Sequence, residues 1–213
     1  MENILRKYHR MKFPIFKFRS ATGLNASLAF ATLSLAAATA FAQAPPQVKF
    51  VTTDGDFVVE VYPDKAPKTV ENFLQYVKDK HYDGTIFHRV INNFMVQGGG
   101  YDVTYAEKKT RAPVMHEGRE ALAKGGPKNV VGTLAMARTN EPNSASSQFF
   151  INVKDNDFLN PSTQAPGYTV FGKVVNGMDV VNKIKAVPTG TGGPFPSDAP
   201  KTPVVIKSAT LLN

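Results

Sequence analysis

The sequence predicts an all-β fold, a barrel or a sandwich, with two helices set among its strands. Three observations carry this. Short runs of β-branched and aromatic residues recur after residue 47, bounded by Gly, Pro, Asn and Asp. Asp54-Gly55 stands between two such runs, a strong hairpin signal. Only two segments carry apolar residues at the three-and-four spacing of an amphipathic helix. Many short strands with few helices bury their apolar faces sheet on sheet, or as one sheet closed on itself. A chain of 213 residues is long enough for one sizeable core.

The elements follow in order. Ala44-Pro45-Pro46 is an extended lead-in. Residues 48–53 and 57–62 are the strands on either side of Asp54-Gly55. Pro63-Asp64-Lys65-Ala66-Pro67 opens a helix, with Asp64 as cap and Pro67 in the first turn. Val70, Phe73, Leu74 and Val77 form its apolar stripe, and it should end near Lys80, before Tyr82-Asp83-Gly84. Residues 100–131 form a long connection, a length that usually marks a functional or well-packed loop. Strands are expected near 132–137, 147–153 and 168–175, with an irregular loop at 155–167. Residues 177–184 read as the second helix, with Met178, Val181 and Ile184 on one stripe. Residues 188–202, rich in Gly and Pro, read as loop, and 203–212 as the closing strand.

The most informative stretch is Phe87-His88-Arg89-Val90-Ile91-Asn92-Asn93-Phe94-Met95-Val96-Gln97-Gly98-Gly99. It reads as two strands joined by a polar turn. Alternation places Phe87 and Arg89 on one face, His88 and Val90 on the other; after the turn Met95 and Gln97 share a face and Val96 points away. A core needs neither Arg nor Gln, and a solvated surface needs neither Phe nor Met. The mixture points to a site for a partly apolar ligand with an amide to be gripped. In Ser147-Gln148-Phe149-Phe150-Ile151-Asn152-Val153, Gln148 and Phe150 share one face, Phe149 and Ile151 the other.

Charge and leader narrow the class. The formal charge is +8, but residues 1–42 hold six basic residues and one acid, so the remainder carries only +3. Nucleic-acid binding through a strong positive field is not supported for that part. Residues 1–42 read as a secretory signal peptide. A positive segment precedes an apolar run from Ala26 to Thr39, followed by Ala40-Phe41-Ala42 as a small-x-small cleavage pattern and then Gln43. The rival reading is an uncleaved anchor, although the run is short for a span of about 20 residues. Met11 is an alternative start. The chain has no Cys, which excludes lipoprotein anchoring, disulfides and thiol catalysis.

The segments FHRVINNFMVQGG, GTLAMAR, SSQFFI and YTVFGKVVNGMDVV, in this order, resemble the cyclophilin family of peptidyl-prolyl cis/trans isomerases. The resemblance runs from about Val48 to the C-terminus and looks like a bacterial exported (periplasmic) member. It implies a closed eight-stranded antiparallel barrel capped by a helix at each end, with the ligand groove outside. It also implies rotation of X–Pro bonds without cofactor or metal, on proline-containing polypeptides, in the folding of cell-envelope proteins. After leader cleavage, residues 43–213 would be a monomer with neither membrane nor nucleic acid as partner. Arg89 would be the catalytic residue. Phe94, Met95, Phe150 and Leu159 would form the proline slot. Gln97 and the main chain at Arg138 would hold the substrate backbone, with Ala137, Gln148, Phe158 and Tyr168 also in the groove.

The chemistry is consistent with those residue types. Amide resonance sets a barrier of roughly 18–20 kcal/mol to X–Pro rotation. In the twisted transition state the proline nitrogen regains its lone pair and becomes a hydrogen-bond acceptor. A donor aimed there binds the transition state preferentially. Arg89 is the one strong donor in the signature.

Two positions depart from the best-known eukaryotic pattern: Phe158 stands where it has Trp and Tyr168 where it has His; Arg138 stands where Asn is common, which leaves its main-chain role intact. The missing indole donor puts tight cyclosporin binding in doubt.

Taken singly, each site residue has a plainer reading: core for Phe94, Phe150 and Leu159, gap filling for Met95, a surface ion pair for Arg89, and solvated amides for Gln97 and Gln148. A non-catalytic peptide-binding module on the same fold is the main functional rival. His81, His88 and His116 have no metal-ligand spacing with a carboxylate, and His88 reads as a satisfied structural histidine. Gly98-Gly99-Gly100 precedes no helix and should bind no phosphate. Asn160-Pro161-Ser162 fails as a glycosylation site.

Overall fold

A computed structural model describes residues 44–212; the leader and its cleavage junction lie outside the described residues. Ten strands and three helices occur in this part: β1 (Gln47–Thr52), β2 (Asp56–Val61), α1 (Pro67–Lys78), β3 (Thr85–Ile91), β4 (Met95–Asp102), α2 (Gly118–Ala123), β5 (Thr133–Met136), β6 (Phe149–Asn152), β7 (Val170–Asn176), α3 (Met178–Lys185), β8 (Thr189–Gly192), β9 (Phe195–Pro200) and β10 (Ile206–Leu212). Eight strands form one antiparallel sheet in the order β10-β1-β2-β7-β5-β6-β4-β3. The sheet curls on itself. Its edges meet through a single bridge, Ile86 to Val205, and through Phe87 N–H to Val204 O (3.0 Å) and Gly84 N–H to Ile206 O (2.8 Å). Closure is therefore partial, where the resemblance implied a closed barrel.

Strand alternation builds the interior. In β1 and β2, Val48, Phe50, Phe57, Val59 and Val61 point inward and are buried. They meet an aromatic cluster in which Phe50 stacks on Phe57 (5.0 Å) and Phe73 of α1 lies 5.1 Å from Phe171. Gly99 passes over this cluster at φ +87; a Cβ there would lie 2.8 Å from Tyr82 Cε1. Only glycine suits that backbone and that space. The glycines after Gln97 thus continue β4 across the aromatic core.

Helix α1 begins at Pro67, later than the sequence reading placed it, and Asp64 does not cap it. The residue before the helix is Ala66, which offers no side-chain cap; Asp64 pairs with Lys65 at 3.0 Å. The orphan N–H groups are met from 48 residues away. The buried Glu117 carboxylate accepts from Lys68 N (3.1 Å), Thr69 N (2.8 Å) and Thr69 Oγ1 (2.7 Å). A carboxylate at a helix N-terminus is favoured by both the unpaired donors and the helix dipole. Helix α3 carries Val181 and Ile184 inward, with Met178 partly buried, as its stripe requires.

Two further elements depart from the sequence reading. The connection 100–131 contains the short helix α2, giving three helices in place of two. The Gly/Pro-rich stretch 188–202, read as loop, forms the separate hairpin β8–β9.

Candidate functional site

The outer face of the sheet carries a second, smaller apolar cluster: Met95, Ala135, Ala137, Phe150, Leu159 and Val170, with Ile91, Phe94 and Tyr168 packed against it. Strand pairing sets the row that crosses it. Arg89 of β3 pairs with Gln97 of β4, Gln97 with Phe150 of β6, and Phe150 with Ala135 of β5. Four strands thereby bring a guanidinium, an amide and a ring into line on one surface.

A cavity of about 110 Å³ opens on this cluster. Phe94, Met95, Phe150 and Leu159 supply apolar walls, Ala137 and Tyr168 complete them, and Arg89, Gln97 and Arg138 bring polar groups to the same lining. A drug-sized ligand needs roughly 300–1,000 Å³, so this space suits one small side chain or ring. Nine of the eleven sequence-derived site residues therefore meet in one place. The other two lie beside it. Gln148 accepts from Gln97 Nε2 at 2.9 Å and so fixes the amide that faces the cavity. Phe158 is 73% exposed and stacks on Phe94 at 5.6 Å, extending the wall outward.

The faces of β3 differ from simple alternation. The register passes from Phe87 opposite Gly98 to Arg89 opposite Gln97, so two residues of β3 advance against one of β4. This bulge at His88 turns Phe87 and Val90 both into the inner core. Phe87 therefore does not share the site face with Arg89; the aromatic surface there comes from Phe94 and Phe150. His88 is a buried structural histidine packed between Tyr101 (4.7 Å) and Phe195 (5.1 Å), with no hydrogen-bond partner within 3.5 Å at Nδ1. Burial, with the adjacent Arg89 charge adding to it, pushes its pKa down to about 4.

The walls are held from behind by amides. Asn156 Nδ2 donates to Phe94 O (2.9 Å) and to Asn152 Oδ1 (2.7 Å). Asn152 Nδ2 donates to Asn129 Oδ1 (3.2 Å), and Asn129 Nδ2 to Leu159 O (3.2 Å). This buried chain links the β3–β4 turn to the segment bearing Leu159. Sequence reasoning missed it, because its members are spread over nearly thirty positions, Asn129 and Asn156 in loops and Asn152 at the end of β6. It also missed Asp198, whose Oδ2 lies 3.9 Å from Arg89 Nε and whose φ is +66. Nothing in the local pattern of 188–202 marked that carboxylate.

Among the described residues no three His, Asp or Glu side chains are grouped so as to hold a metal ion. No helix among them is long and apolar enough to cross a membrane.

Comparison with known proteins supplies a second line of evidence. The profile of the cyclophilin type peptidyl-prolyl cis-trans isomerase family matches residues 47–211. Peptidyl-prolyl cis-trans isomerase B of Escherichia coli is 53% identical over 167 residues, covering 77% of this chain and 98% of that protein. A peptidyl-prolyl cis-trans isomerase of Acinetobacter baylyi is 52% identical over 172 residues, covering 81% of this chain and 88% of that protein. Among solved structures, a cyclophilin type isomerase of Cryptosporidium parvum, crystallised in the presence of the dipeptide Ala-Pro, superposes with a TM-score of 0.63 at 26% identity. That match covers 78% of this chain and 99% of the other.

Proposed function

The chain belongs to the cyclophilin type peptidyl-prolyl cis-trans isomerase family, and from that premise we propose that the outer cavity is its active site, with Arg89 as the catalytic group. The observation that carries the reading is that Arg89 and Gln97 line the same ring-sized cavity as Phe94, Met95, Phe150 and Leu159. Phe94, Met95, Phe150 and Leu159 would receive the proline ring. Gln97, held by Gln148, would grip the substrate backbone, and the main chain beside Arg138 would pair with it as an added strand. Ala137 and Tyr168 close the far side, and Phe158 supports the rim. Arg89 would then donate to the proline nitrogen as it pyramidalises, a bond available only in the transition state.

The substrate would be a proline-containing polypeptide; the Ala-Pro dipeptide used with the Cryptosporidium parvum protein supports this. The apolar run and Ala40-Phe41-Ala42 pattern at the N-terminus support a leader on residues 1–42 and export to the periplasm; the mature chain 43–213 would then be a monomer assisting folding in the cell envelope. Cell fractionation with intact-mass measurement tests location. A mass that still includes residues 1–42 overturns cleavage.

The catalytic assignment is tested by exchange of an X–Pro peptide with wild-type and Arg89→Ala protein, alongside a melting curve for each. Arg89 sits outside the inner core, so the variant should melt near wild type. A charge-assisted hydrogen bond contributes roughly 1.5–3 kcal/mol, so kcat/KM should fall about 10- to 150-fold, mainly through kcat. Near-wild-type activity in a folded variant would falsify the mechanism.

A further inference from the structure

Two arginines, Arg89 and Arg138, are among the residues lining the cavity, and no Asp or Glu is. The two are unlike. Arg89 has Asp198 3.9 Å from its Nε. Arg138 has no carboxylate oxygen within 4.0 Å among the described residues. Its side chain is nonetheless fixed. Nε and Nη2 donate to Gly167 O at 3.2 and 2.8 Å, and Nη1 donates to Thr139 O at 2.8 Å and Asn140 O at 3.3 Å. The guanidinium carbon lies 4.6 Å from the centre of the Tyr168 ring. Gly167 itself is held in place, at φ +65 and with no room for a Cβ, which would come within 2.3 Å of Pro161 N.

Carbonyl oxygens satisfy N–H groups without cancelling the charge. A guanidinium has five N–H donors, and these bonds occupy four, leaving one N–H on Nη2. His116 shares the same carbonyl, with Nε2 3.1 Å from Gly167 O, and its pKa is held down by burial foremost and also by the Arg138 charge. The ring is neutral at pH 7 and competes for no anion; Glu120 is near enough to act on that ring but is not within ion-pair distance of Arg138. The residue lining the cavity thus carries a held guanidinium with one N–H unused and no carboxylate oxygen within 4.0 Å among the described residues. An immobilised side chain gives up little entropy when a ligand arrives. Consecutive residues of a bound chain lie about 3.8 Å apart at Cα, so a group that lines the proline cavity is within reach of the residue beside the proline.

We propose that Arg138 makes this isomerase prefer proline bonds flanked by an acidic residue. The inference rests on the assignment of the cavity as the active site and names the polypeptide class it favours.

The test is kcat/KM for peptides carrying Glu, Ala or Lys immediately before the proline, and a second set carrying them immediately after it, at low ionic strength. In one of the two sets the Glu peptide should exceed the Lys peptide by about three- to tenfold, the scale of a partly exposed charge pair gained against a like pair imposed. The ratio should approach one in roughly 0.5 M salt, where the screening length is only a few ångströms. Arg138→Gln should collapse the ratio, whatever it does to the absolute rates, and Arg138→Lys should restore part of it. Equal Glu and Lys rates on both sides in the wild-type protein overturn the proposal. So does a ratio that Arg138→Gln leaves unchanged, or one insensitive to salt. If Arg138→Gln melts below the assay temperature, Arg138→Met, assayed below its melting range, decides in its place: a ratio it leaves unchanged overturns the proposal. Failure to accelerate any X–Pro peptide would overturn the active-site assignment itself, whereas activity with a flat neighbour profile would overturn only the role of Arg138.

Discussion

The proposed mechanism requires the fork of Arg89 to face the cavity, and we propose that Asp198, 3.9 Å from its Nε, helps to orient it. Arg89 is one of the residues lining the cavity. Asp198 adopts φ +66, a region where Asp and Asn are tolerated far better than most residues. Asp198→Asn should therefore keep the backbone and remove only the charge. The side chains are 40% and 36% exposed, so the pair belongs to the weak class, worth up to about 1 kcal/mol. The expected loss in kcat is about two- to fivefold, with KM little changed. In an Arg89→Ala background the same substitution should cost nothing further; a full additional loss there would show that Asp198 acts on the fold. Arg89→Lys should be nearly as slow as Arg89→Ala, because an ammonium cannot present a planar fork to the cavity while facing Asp198.

The elements show why site residues were easier to read than their supports. Arg89, Met95, Gln97 and Phe150 were legible because each breaks the pattern of a core or of a solvated face, and sheet pairing then aligns them. The bulge at His88 was not legible, since alternation carries no sign of an inserted residue, and it reversed the expected face of Phe87. Helix α1 makes the same point. Its stripe was plain in Val70, Phe73 and Val77, but its cap comes from Glu117, across 48 residues of chain. No local rule finds a cap at that separation. The prediction at this scale is that Glu117→Ala destabilises the domain by about 2–3 kcal/mol, the range for losing hydrogen bonds to a buried charged group. Urea unfolding measures it. Glu117 lies outside the cavity lining, so the variant should still catalyse X–Pro exchange below its melting range. An unchanged unfolding midpoint would show that α1 needs no carboxylate at its start.

At the scale of the whole molecule, the β8–β9 hairpin joins the site to the acid stability of the fold. Its Phe195 covers His88, and its Asp198 faces Arg89. Covering His88 strips the ring of water, which is why its pKa falls from 6.5 to about 4. The sign of the consequence follows directly. Between about pH 6.5 and 4 the unfolded chain binds a proton at this residue and the folded chain does not. Stability therefore falls as pH is lowered through that window and levels off below it, by roughly 3 kcal/mol for a shift of this size. His81 and His116, also shifted down chiefly by burial, act in the same sense. The exposed carboxylates with lowered pKa, Asp64, Asp79 and Asp102, contribute mainly below about pH 4. Catalysis should behave differently, because the cavity lining contains neither a histidine nor a carboxylate. The expected result is a urea midpoint that drops steadily from pH 6.5 to 4.5 while kcat/KM stays flat from pH 8 to 6. His88→Gln, once shown to fold at pH 7.5, should flatten much of the stability slope. An equal slope in that variant would remove His88 from the account, and a bell-shaped rate profile in the wild-type protein would replace the Arg89 hydrogen bond with a proton-transfer mechanism.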